Sequence, residues 1–324
     1  ERHNLQIGSV GGRCVGRIRS DFGFQSTAAD VLKDVDLSGQ RAIVTGGSGG
    51  IGLEICRALA SAGADVTIAA RDIATALPVA QALRRSGLPG HVTVQPLDLA
   101  NLPSISRFVA EWQEPLDILI NNAGIMMLPE LRRTADGWEM QFATNFLGHY
   151  QLTLGLRPAL AAAPAARIIA LSSSGHLFSP ILFDDPSFRF VPYDPLIAYG
   201  QSKTAAILFA VEATARWRDQ GITVNAVMPG AVATNLQKHT GGLRTPPERR
   251  KSPQQGAATP VWAAIAPQLQ GIGGRYFEDM NEAEVVFSRN EALTGVAHYA
   301  VNPANARRFW ELCERLITDA ASLR

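Results

Sequence analysis

A tyrosine and a lysine lie four residues apart in the segment AYGQSKTAA, residues 198–206. In a helix, positions i and i+4 lie one above the other on the same face, so Tyr199 and Lys203 would be neighbours. A lysine ammonium beside a phenol favours the phenolate and lowers a pKa that is ordinarily about 10. Tyr199 is the only tyrosine of the chain followed by lysine at this spacing. The pair is a candidate acid/base group, and the alternative is a coincidence on a helix surface.

A glycine-rich turn follows the first strong apolar segment. Residues 42–60, AIVTGGSGGIGLEICRALA, indicate a strand, a turn and a helix, with Gly46, Gly50 and Gly52 in the turn. Because glycine has no side chain, the backbone can turn tightly here, and a pyrophosphate can approach the helix N-terminus. Free N–H groups and the helix dipole favour an anion at that position. Because the turn follows a strand and opens a helix, it predicts a dinucleotide site rather than a tight turn without ligand.

The end of the second predicted strand bears on the choice between the two nicotinamide cofactors. An acidic residue there binds the ribose 2′-hydroxyl of NAD, whereas arginine accommodates the 2′-phosphate of NADP. The segment DVTIAARD, residues 65–72, has Ala70 in the acidic position and Arg71 after it. A guanidinium suits phosphate, so we predict NADPH/NADP as cofactor, with NAD less favoured. The alternatives are that Arg71 only covers a strand end, or that Asp72 contacts the ribose.

Short apolar segments alternate with amphipathic ones along the chain, which is typical of an α/β protein. Apolar strands separated by helices indicate a parallel sheet covered on both faces, so we predict a three-layer Rossmann fold with a doubly wound parallel sheet of about seven strands. Strands are expected at 42–45, 65–69, 92–97, 118–121, 167–171 and 223–227, and a further one within 273–279. Helices are expected near 50–62, 72–86, 102–113, 136–161, 196–220 and 303–318.

The rest of the organisation is simple. Residues 26–35 indicate a short helix capped by Ser26 or Thr27. Residues 1–25 lack the apolar core of a signal peptide, and we expect a disordered arm. Residues 26–324 are predicted to form one domain, with the cofactor-binding part at about 38–170 and the active-site and substrate part at about 171–324. The Pro- and Arg-rich segment 242–254 is predicted to be a mobile loop.

Composition excludes several other classes of protein. A net charge of +1 provides no strong field for nucleic acid, and no apolar run approaches the length of a membrane span. Three scattered cysteines argue against a disulfide framework and for a reducing compartment, so we expect a cytoplasmic protein. No His, Cys or acidic residues occur at metal-ligand spacing, and no metal site is expected.

Several segments together resemble the short-chain dehydrogenase/reductase family. They occur in the family's order between about residues 38 and 235, and they are TGGSGGIG (45–52), NNAG (121–124), YGQSK (199–203) and PGAVAT (229–234). Details such as DGWEMQFATNFLGHY and GGRYFED look most like the branch of retinol dehydrogenases and WW-domain oxidoreductases and its bacterial relatives.

This resemblance implies an active site made of Asn145, Ser173, Tyr199 and Lys203. Tyr199 would exchange the proton, Lys203 would keep the phenol acidic, and Ser173 would hold the substrate oxygen, with Ser172 and Ser174 as alternatives. Asn145 would hold a water that connects Lys203 to solvent. His149, one turn after Asn145, is expected to pack or hydrogen-bond within its helix.

Cofactor contacts follow from the glycine turn, from Arg71 and from the resemblance. The residues concerned are Gly46, Ser48, Gly50, Ile51, Gly52, Arg71, Asp98, Leu99, Asn122, Ala123, Gly124, Tyr199, Lys203, Pro229, Gly230, Val232 and Thr234. Asp98 is also a candidate cap for the helix that begins near Leu102.

These observations predict an NADP-dependent oxidoreductase that interconverts an apolar ketone or aldehyde and its alcohol. Segments 125–130 and 175–198, which should surround the nicotinamide, are rich in Met, Phe, Leu, Ile and Pro and favour an apolar substrate. The alternative function is a non-catalytic dinucleotide-binding sensor or scaffold on the same fold. By analogy with the family, a homodimer or homotetramer is expected.

Overall fold

Apolar segments form the strands of a central sheet. The structure is a computed structural model and describes residues 16–322. Its strands are β1 Arg41–Thr45, β2 Asp65–Ala70, β3 Val92–Pro96, β4 Ile118–Asn121, β5 Arg167–Leu171, β6 Thr223–Met228, β7 Ala231–Val232, β8 Arg250–Lys251, β9 Tyr276–Glu278, β10 Asn281–Glu282, β11 Val285–Val286 and β12 Val296–Ala297.

The main sheet has the order β10-β9-β6-β5-β4-β1-β2-β3. Its neighbours pair in parallel from β3 to β9, and only the short edge strand β10 is antiparallel. The chain reverses its direction of winding between β1 and β4, where the carboxyl ends of a doubly wound sheet leave a crevice for ligands. The predicted Rossmann fold is therefore confirmed, with seven parallel strands and one antiparallel edge strand in the described part of the chain.

Helices cover both faces of this sheet. They are α1 Ala28–Val31, α2 Gly50–Ser61, α3 Ile73–Arg85, α4 Leu102–Glu111, α5 Met140–Phe142, α6 Gly148–Ala161, α7 Pro195–Trp217, α8 Pro253–Ile265 and α9 Pro303–Ser322. One buried cluster packs α4, α6, α7 and α9 on one face, and a second packs α1, α2, α3 and α8 on the other. Among the helices of residues 16–322, none has the length and apolar character needed to cross a bilayer.

The helix predicted at 136–161 begins later and is interrupted. Residues 134–138 form a turn instead, in which the Thr134 N–H bonds to the carbonyl of Trp138. The Glu139 carboxylate then accepts the N–H groups of Gln141 and Phe142 and starts α5. A π-helical turn at 143–147 joins α5 to α6. Turns of this kind occur often at functional sites, and this one carries Asn145.

Helix α8 was not predicted, and it begins inside the segment expected to be a mobile loop. Ser252 and Gln255 form a capping box at its start, and Pro253 occupies the first turn, where proline is well tolerated. The residue before this cap, Lys251, lies in β8 with its side chain buried. The segment 250–254 is therefore anchored by strand pairing and by a helix cap.

The predicted arm at 1–25 divides into two parts. Residues 1–15 lie outside the described residues. Residues 18–22 contact β10: the Ile18 N–H bonds to the Glu282 carboxylate, and the Glu282 N–H bonds to the Ile18 carbonyl. These partners lie more than 250 residues away in the chain, so local composition did not indicate them. Further along, Thr27 rather than Ser26 caps α1.

A close contact at the start of α6 provides a stability test. A Cβ on Gly148 would overlap the carbonyl oxygen of Leu99, whereas a Cβ on Gly155 in the same helix would meet a methyl group of Val109 at 2.7 Å. Because backbone yields less readily than a side-chain methyl, we expect Gly148→Ala to lower the free energy of unfolding by about 1–3 kcal/mol. Urea denaturation would measure it.

Gly155→Ala is the matched control, because both substitutions improve helix propensity by about 1 kcal/mol. We expect a smaller loss of stability for it, or none. A Gly148→Ala protein as stable as the wild type would contradict the close packing of α6 against Leu99.

Candidate active site

Tyr199 and Lys203 lie on the first turns of α7, at the carboxyl edge of the sheet. The Asp194 carboxylate caps this helix by accepting the N–H groups of Leu196 and Ile197. Both Tyr199 and Lys203 are buried, with 4% and 5% of their surface exposed. The Lys203 ammonium lies 5.5 Å from the centroid of the Tyr199 ring. The predicted spacing therefore places the two side chains together on a buried face rather than on a helix surface.

The electrostatics of this pair differ from the expectation. Burial raises the pKa of Tyr199 to about 12, and a hydrogen bond with the Ser173 side chain opposes the rise. Burial also lowers the pKa of Lys203 to about 8. The Lys203 ammonium donates to the Leu171 carbonyl at 3.0 Å. Since desolvation dominates and the ammonium is directed at a carbonyl, Lys203 does not bring the phenol into the acidic range in this arrangement.

The three consecutive serines have different surroundings. The Ser172 hydroxyl is buried and donates to the Lys203 carbonyl at 2.8 Å. Ser173 caps the 3-10 turn at 174–178, where its hydroxyl accepts the Gly175 N–H at 3.0 Å, and it is the serine that hydrogen-bonds to Tyr199. The structure thus brings Ser173, and not Ser172, to the phenol.

Asn145 lies in the π-helical turn, and its side chain makes three hydrogen bonds. Its amide nitrogen donates to the Ile125 carbonyl and to the Ser202 hydroxyl, each at 2.9 Å. Its amide oxygen accepts the Ile125 N–H at 2.8 Å. A Cβ on Gly124 would lie 3.2 Å from this oxygen and 3.7 Å from the Lys203 ammonium. Asn145, Gly124 and Lys203 therefore meet at one point of the site.

The glycine turn after β1 provides a bare cradle for a pyrophosphate. Gly46 has φ of 66°, and a Cβ on Gly52 would overlap the Gly46 carbonyl and crowd the amide of Asn122. The Asn122 amide donates to the Thr45 carbonyl at 2.8 Å, which holds the segment after β4 against the turn. No side chain of the described residues caps α2, so its first N–H groups suit an anionic ligand. The residues present fit a dinucleotide.

The segment after β6 closes over this turn. A Cβ on Gly50 would lie 3.0 Å from the Thr234 methyl group, and Val232 pairs with Lys251 between β7 and β8. Lys251 forms an ion pair with Asp279, and its aliphatic stem lies against Gly230. Thr234 thus lies near Gly50, and Val232 and Ile51 both lie against Gly256.

Two acidic residues near the adenine end of the site have local partners. Asp72 caps α3 by accepting the N–H and the hydroxyl of Thr75, and Arg71 beside it is exposed. Asp98 accepts the Ala100 N–H at 2.9 Å, and Asn101 rather than Asp98 caps α4. The expected cap by Asp98 is therefore wrong. The Asp72 carboxylate is thus bonded to Thr75, and the Arg71 charge helps to lower its pKa.

Some polar residues of this region were not anticipated from the sequence. Thr45, at the end of β1, accepts the N–H groups of Asn122 and Ala123. The ring of His149 hydrogen-bonds to Asn145 within its helix, as expected, and also to Thr45, which was not anticipated. Lys251 is buried although Arg249 and Arg250 before it are exposed. For Thr45, the sequence offered one signal of such a role, namely a hydroxyl residue directly before a glycine turn. Within residues 16–322, no three His, Cys, Asp or Glu side chains form a group that could hold a metal ion.

Comparisons with known proteins show what this chain is similar to. A family model described as short chain dehydrogenase matches residues 40–242. A "Probable oxidoreductase" of Streptomyces antibioticus is 48% identical over 290 residues, which are 86% of this chain and 97% of that protein. Human retinol dehydrogenase 13 is 36% identical over 329 residues, covering 94% of this chain and 96% of that protein.

A solved structure is also similar to this chain. The active-site complex of Pseudomonas aeruginosa RhlG with NADP matches with a TM-score of 0.59 and 26% identity. The match covers 75% of this chain and 95% of that one.

The burial of Lys203 predicts a pH dependence of stability. Its folded-state pKa is about 8, below the value of about 10.4 for an unfolded lysine. Between these values the unfolded chain binds more protons, so this group makes stability rise with pH. We expect the free energy of unfolding of the wild type, minus that of Lys203→Met, to increase by up to about 3 kcal/mol from about pH 8 to about pH 10.4.

Urea denaturation at several pH values would measure this difference. Lys33→Met is the matched control, because Lys33 is exposed and its removal should leave the difference flat. A difference for Lys203→Met that is flat or falls with pH would contradict the burial of a titrating ammonium at this position.

Proposed function

The chain belongs to the short-chain dehydrogenase family, and on that premise we propose that it is an NADP(H)-dependent oxidoreductase that interconverts an apolar ketone or aldehyde and its alcohol. The observation that carries the proposal is the placement of Tyr199 and Ser173. Their hydroxyl groups meet at the carboxyl edge of the sheet, the edge at which the glycine turn also lies. That edge is where ligands of doubly wound folds bind.

A bound nicotinamide supplies or accepts the hydride. Ser173 and Tyr199 direct their hydroxyl groups at the carbonyl oxygen of the substrate, and both can donate to the negative charge that develops there. Burial keeps Tyr199 protonated at neutral pH, since it raises the pKa to about 12. Tyr199 therefore enters reduction as the proton donor. In the reverse direction the same oxygen, as the phenolate that reduction leaves, would take the proton from the alcohol.

The cofactor would be held by the surfaces already described. The N–H groups at the start of α2, from Gly50 to Gly52, would bind the pyrophosphate, with Ser48 and Ile51 beside it. Asn122, Ala123 and Gly124 would contact the adenosine ribose, and Asp98 and Leu99 would border the adenine. Pro229, Gly230, Val232 and Thr234 would orient the carboxamide, and Lys203 would bind the nicotinamide ribose.

NADP is favoured over NAD by the end of β2. The Asp72 carboxylate caps α3 by bonding to Thr75, whereas the Arg71 guanidinium is exposed and suits a phosphate. The similar protein RhlG was solved in complex with NADP, which supports the same choice.

The walls of the substrate site support an apolar substrate. Segments 125–130 and 175–198 contact each other where the Tyr193 hydroxyl donates to the Leu128 carbonyl at 3.0 Å. Met126 and Met127 lie on the first of these segments, and the Met127 N–H bonds to the Gln141 side chain at 2.8 Å. The apolar side chains of both segments favour a ketone, aldehyde or alcohol with an apolar skeleton. A homodimer or homotetramer and a cytoplasmic location stay predictions.

Replacement of the phenol tests the reaction. We expect Tyr199→Phe to lower kcat by about 10²–10⁴-fold, the contribution typical of a general acid, while the affinity for NADPH is retained. Absorbance at the nicotinamide band, with a panel of apolar ketones and aldehydes, would measure turnover. Tyr150→Phe is the control, because the Tyr150 hydroxyl is buried and has no hydrogen-bond partner among the described residues.

Full activity of Tyr199→Phe would exclude this tyrosine as the proton donor. A wild-type protein that binds NADPH but turns over no member of the panel would favour the alternative of a non-catalytic sensor or scaffold.

Removal of the guanidinium tests the cofactor. We expect Arg71→Ala to weaken NADPH binding by about 10–100-fold, the effect of losing about 1.5–3 kcal/mol from a charged hydrogen bond, and to leave NADH binding unchanged. Fluorescence titration would give both Kd values. Arg85→Ala, an exposed arginine at the other end of α3, controls for the change in net charge. An equal loss for both cofactors would refute a contact between Arg71 and the 2′-phosphate.

A further inference from the structure

His149 joins two parts of the active site that are about a hundred residues apart in sequence. Its Nδ1 lies 2.9 Å from the Asn145 carbonyl oxygen, and its Nε2 lies 2.8 Å from the Thr45 hydroxyl. Thr45 is the last residue of β1, directly before the glycine turn, and Asn145 lies in the π-helical turn. The imidazole therefore spans the distance between the cofactor turn and the helix that carries Asn145.

The partners of the ring fix its protonation state. A carbonyl oxygen can only accept, so Nδ1 must carry the proton that bonds to Asn145. Nε2 is then an acceptor, and the Thr45 hydroxyl donates to it. The same hydroxyl oxygen accepts the N–H groups of Asn122 at 2.9 Å and Ala123 at 3.0 Å. The Ile120 carbonyl is a second acceptor for the Thr45 proton, but at 3.4 Å it is more distant than Nε2. The two N–H donors occupy both lone pairs of the Thr45 oxygen, which leaves none for a proton on Nε2. A neutral ring protonated on Nδ1 is therefore the form that fits the network.

The surroundings of the ring favour this neutral form. His149 is only 3% exposed, and burial lowers its pKa to about 4. The charged group that acts on it from the neighbouring helix α7 is the Lys203 ammonium, which lowers the pKa further. Because satisfied buried networks hold their members in one arrangement, the ring fixes the groups at both of its ends.

We propose that His149 is a positioning residue, which holds the cofactor turn and the Asn145 carbonyl in place through a neutral imidazole protonated on Nδ1. The inference rests on the function proposed above. It assigns to His149 a role between elements, where the sequence indicated only packing or a hydrogen bond within the helix. His149 itself is assigned no contact with substrate or cofactor.

Nuclear magnetic resonance of the full chain tests the protonation state without any activity. Long-range spectra that correlate the ring nitrogens with the ring protons distinguish the two neutral tautomers. We expect the Nδ1–H tautomer, and no titration of His149 between about pH 5 and pH 8. The Nε2–H tautomer, or a titration in that range, would overturn the proposal.

Three variants separate positioning from stability. His149→Phe keeps a ring and removes both hydrogen bonds, and we expect kcat to fall about 10–100-fold, as small misplacements in an active site do, with weaker NADPH binding. His149→Asn places an amide near the position of Nδ1, and it should restore part of kcat. Leu152→Ala is the matched control: Leu152 is buried in the same helix, so this variant should lower Tm and leave kcat and Kd unchanged.

The outcomes are distinguishable. If His149→Phe behaves like Leu152→Ala, with lower Tm but unchanged kcat and unchanged Kd for NADPH, His149 is structural and the inference is wrong. If the wild type binds NADPH but reduces nothing in the panel, the proposed function fails. The tautomer and the loss of NADPH affinity in His149→Phe then still decide whether the ring positions the cofactor turn.

Discussion

The hydroxyl of Thr45 is the point on which the geometry of the site depends. β1 ends there, and the oxygen accepts the N–H groups of Asn122 and Ala123, which follow β4. These two strands flank the place where the sheet changes its direction of winding, and ligands of doubly wound folds bind there. Short, directional hydrogen bonds to Thr45 hold the segments after the two strands against each other. The side-chain amide of Asn122 donates a further hydrogen bond to the Thr45 carbonyl. Both the side chain and the backbone of Thr45 therefore hold the segment that follows β4.

Three charged side chains are buried in this region, and each of them has a partner. Lys203 donates to the Leu171 carbonyl, Lys251 is paired with Asp279, and Glu139 accepts two backbone N–H groups at the start of α5. An unpartnered charge would cost several kcal/mol, so these partners are a condition for placing the groups here at all. Burial still changes their chemistry: it raises the pKa of Glu139 to about 7. The site therefore combines high local polarity with little access to water.

The sequence anticipated the fold and much of the site because both depend on local patterns. Strand and helix order follow from the alternation of apolar segments, and a four-residue spacing was enough to place Tyr199 and Lys203 side by side. The π-helical turn could not be anticipated, since it depends on contacts of Asn145 with Ile125 and Ser202, which lie far away in the sequence. Helix α8 was not predicted because it is buried on most sides and contains Pro260. It therefore lacks the polar face by which helices are recognised in a sequence. The sequence also did not predict that the pKa of Tyr199 is raised rather than lowered, because the spacing of residues carries no information on desolvation.

The contact of residues 18–22 with β10 also bears on how this protein avoids self-association. An open sheet edge offers unpaired N–H and C=O groups to any other extended chain, and it is a common start for aggregation. Here the backbone of Ile18 covers the outer side of β10. At the opposite edge, the Arg84 guanidinium bonds to the Val92 carbonyl of β3 and adds a charge to that border. A shortened chain that began after residue 22 would uncover one edge of the sheet, and loss of solubility would follow even if the catalytic groups stayed in place.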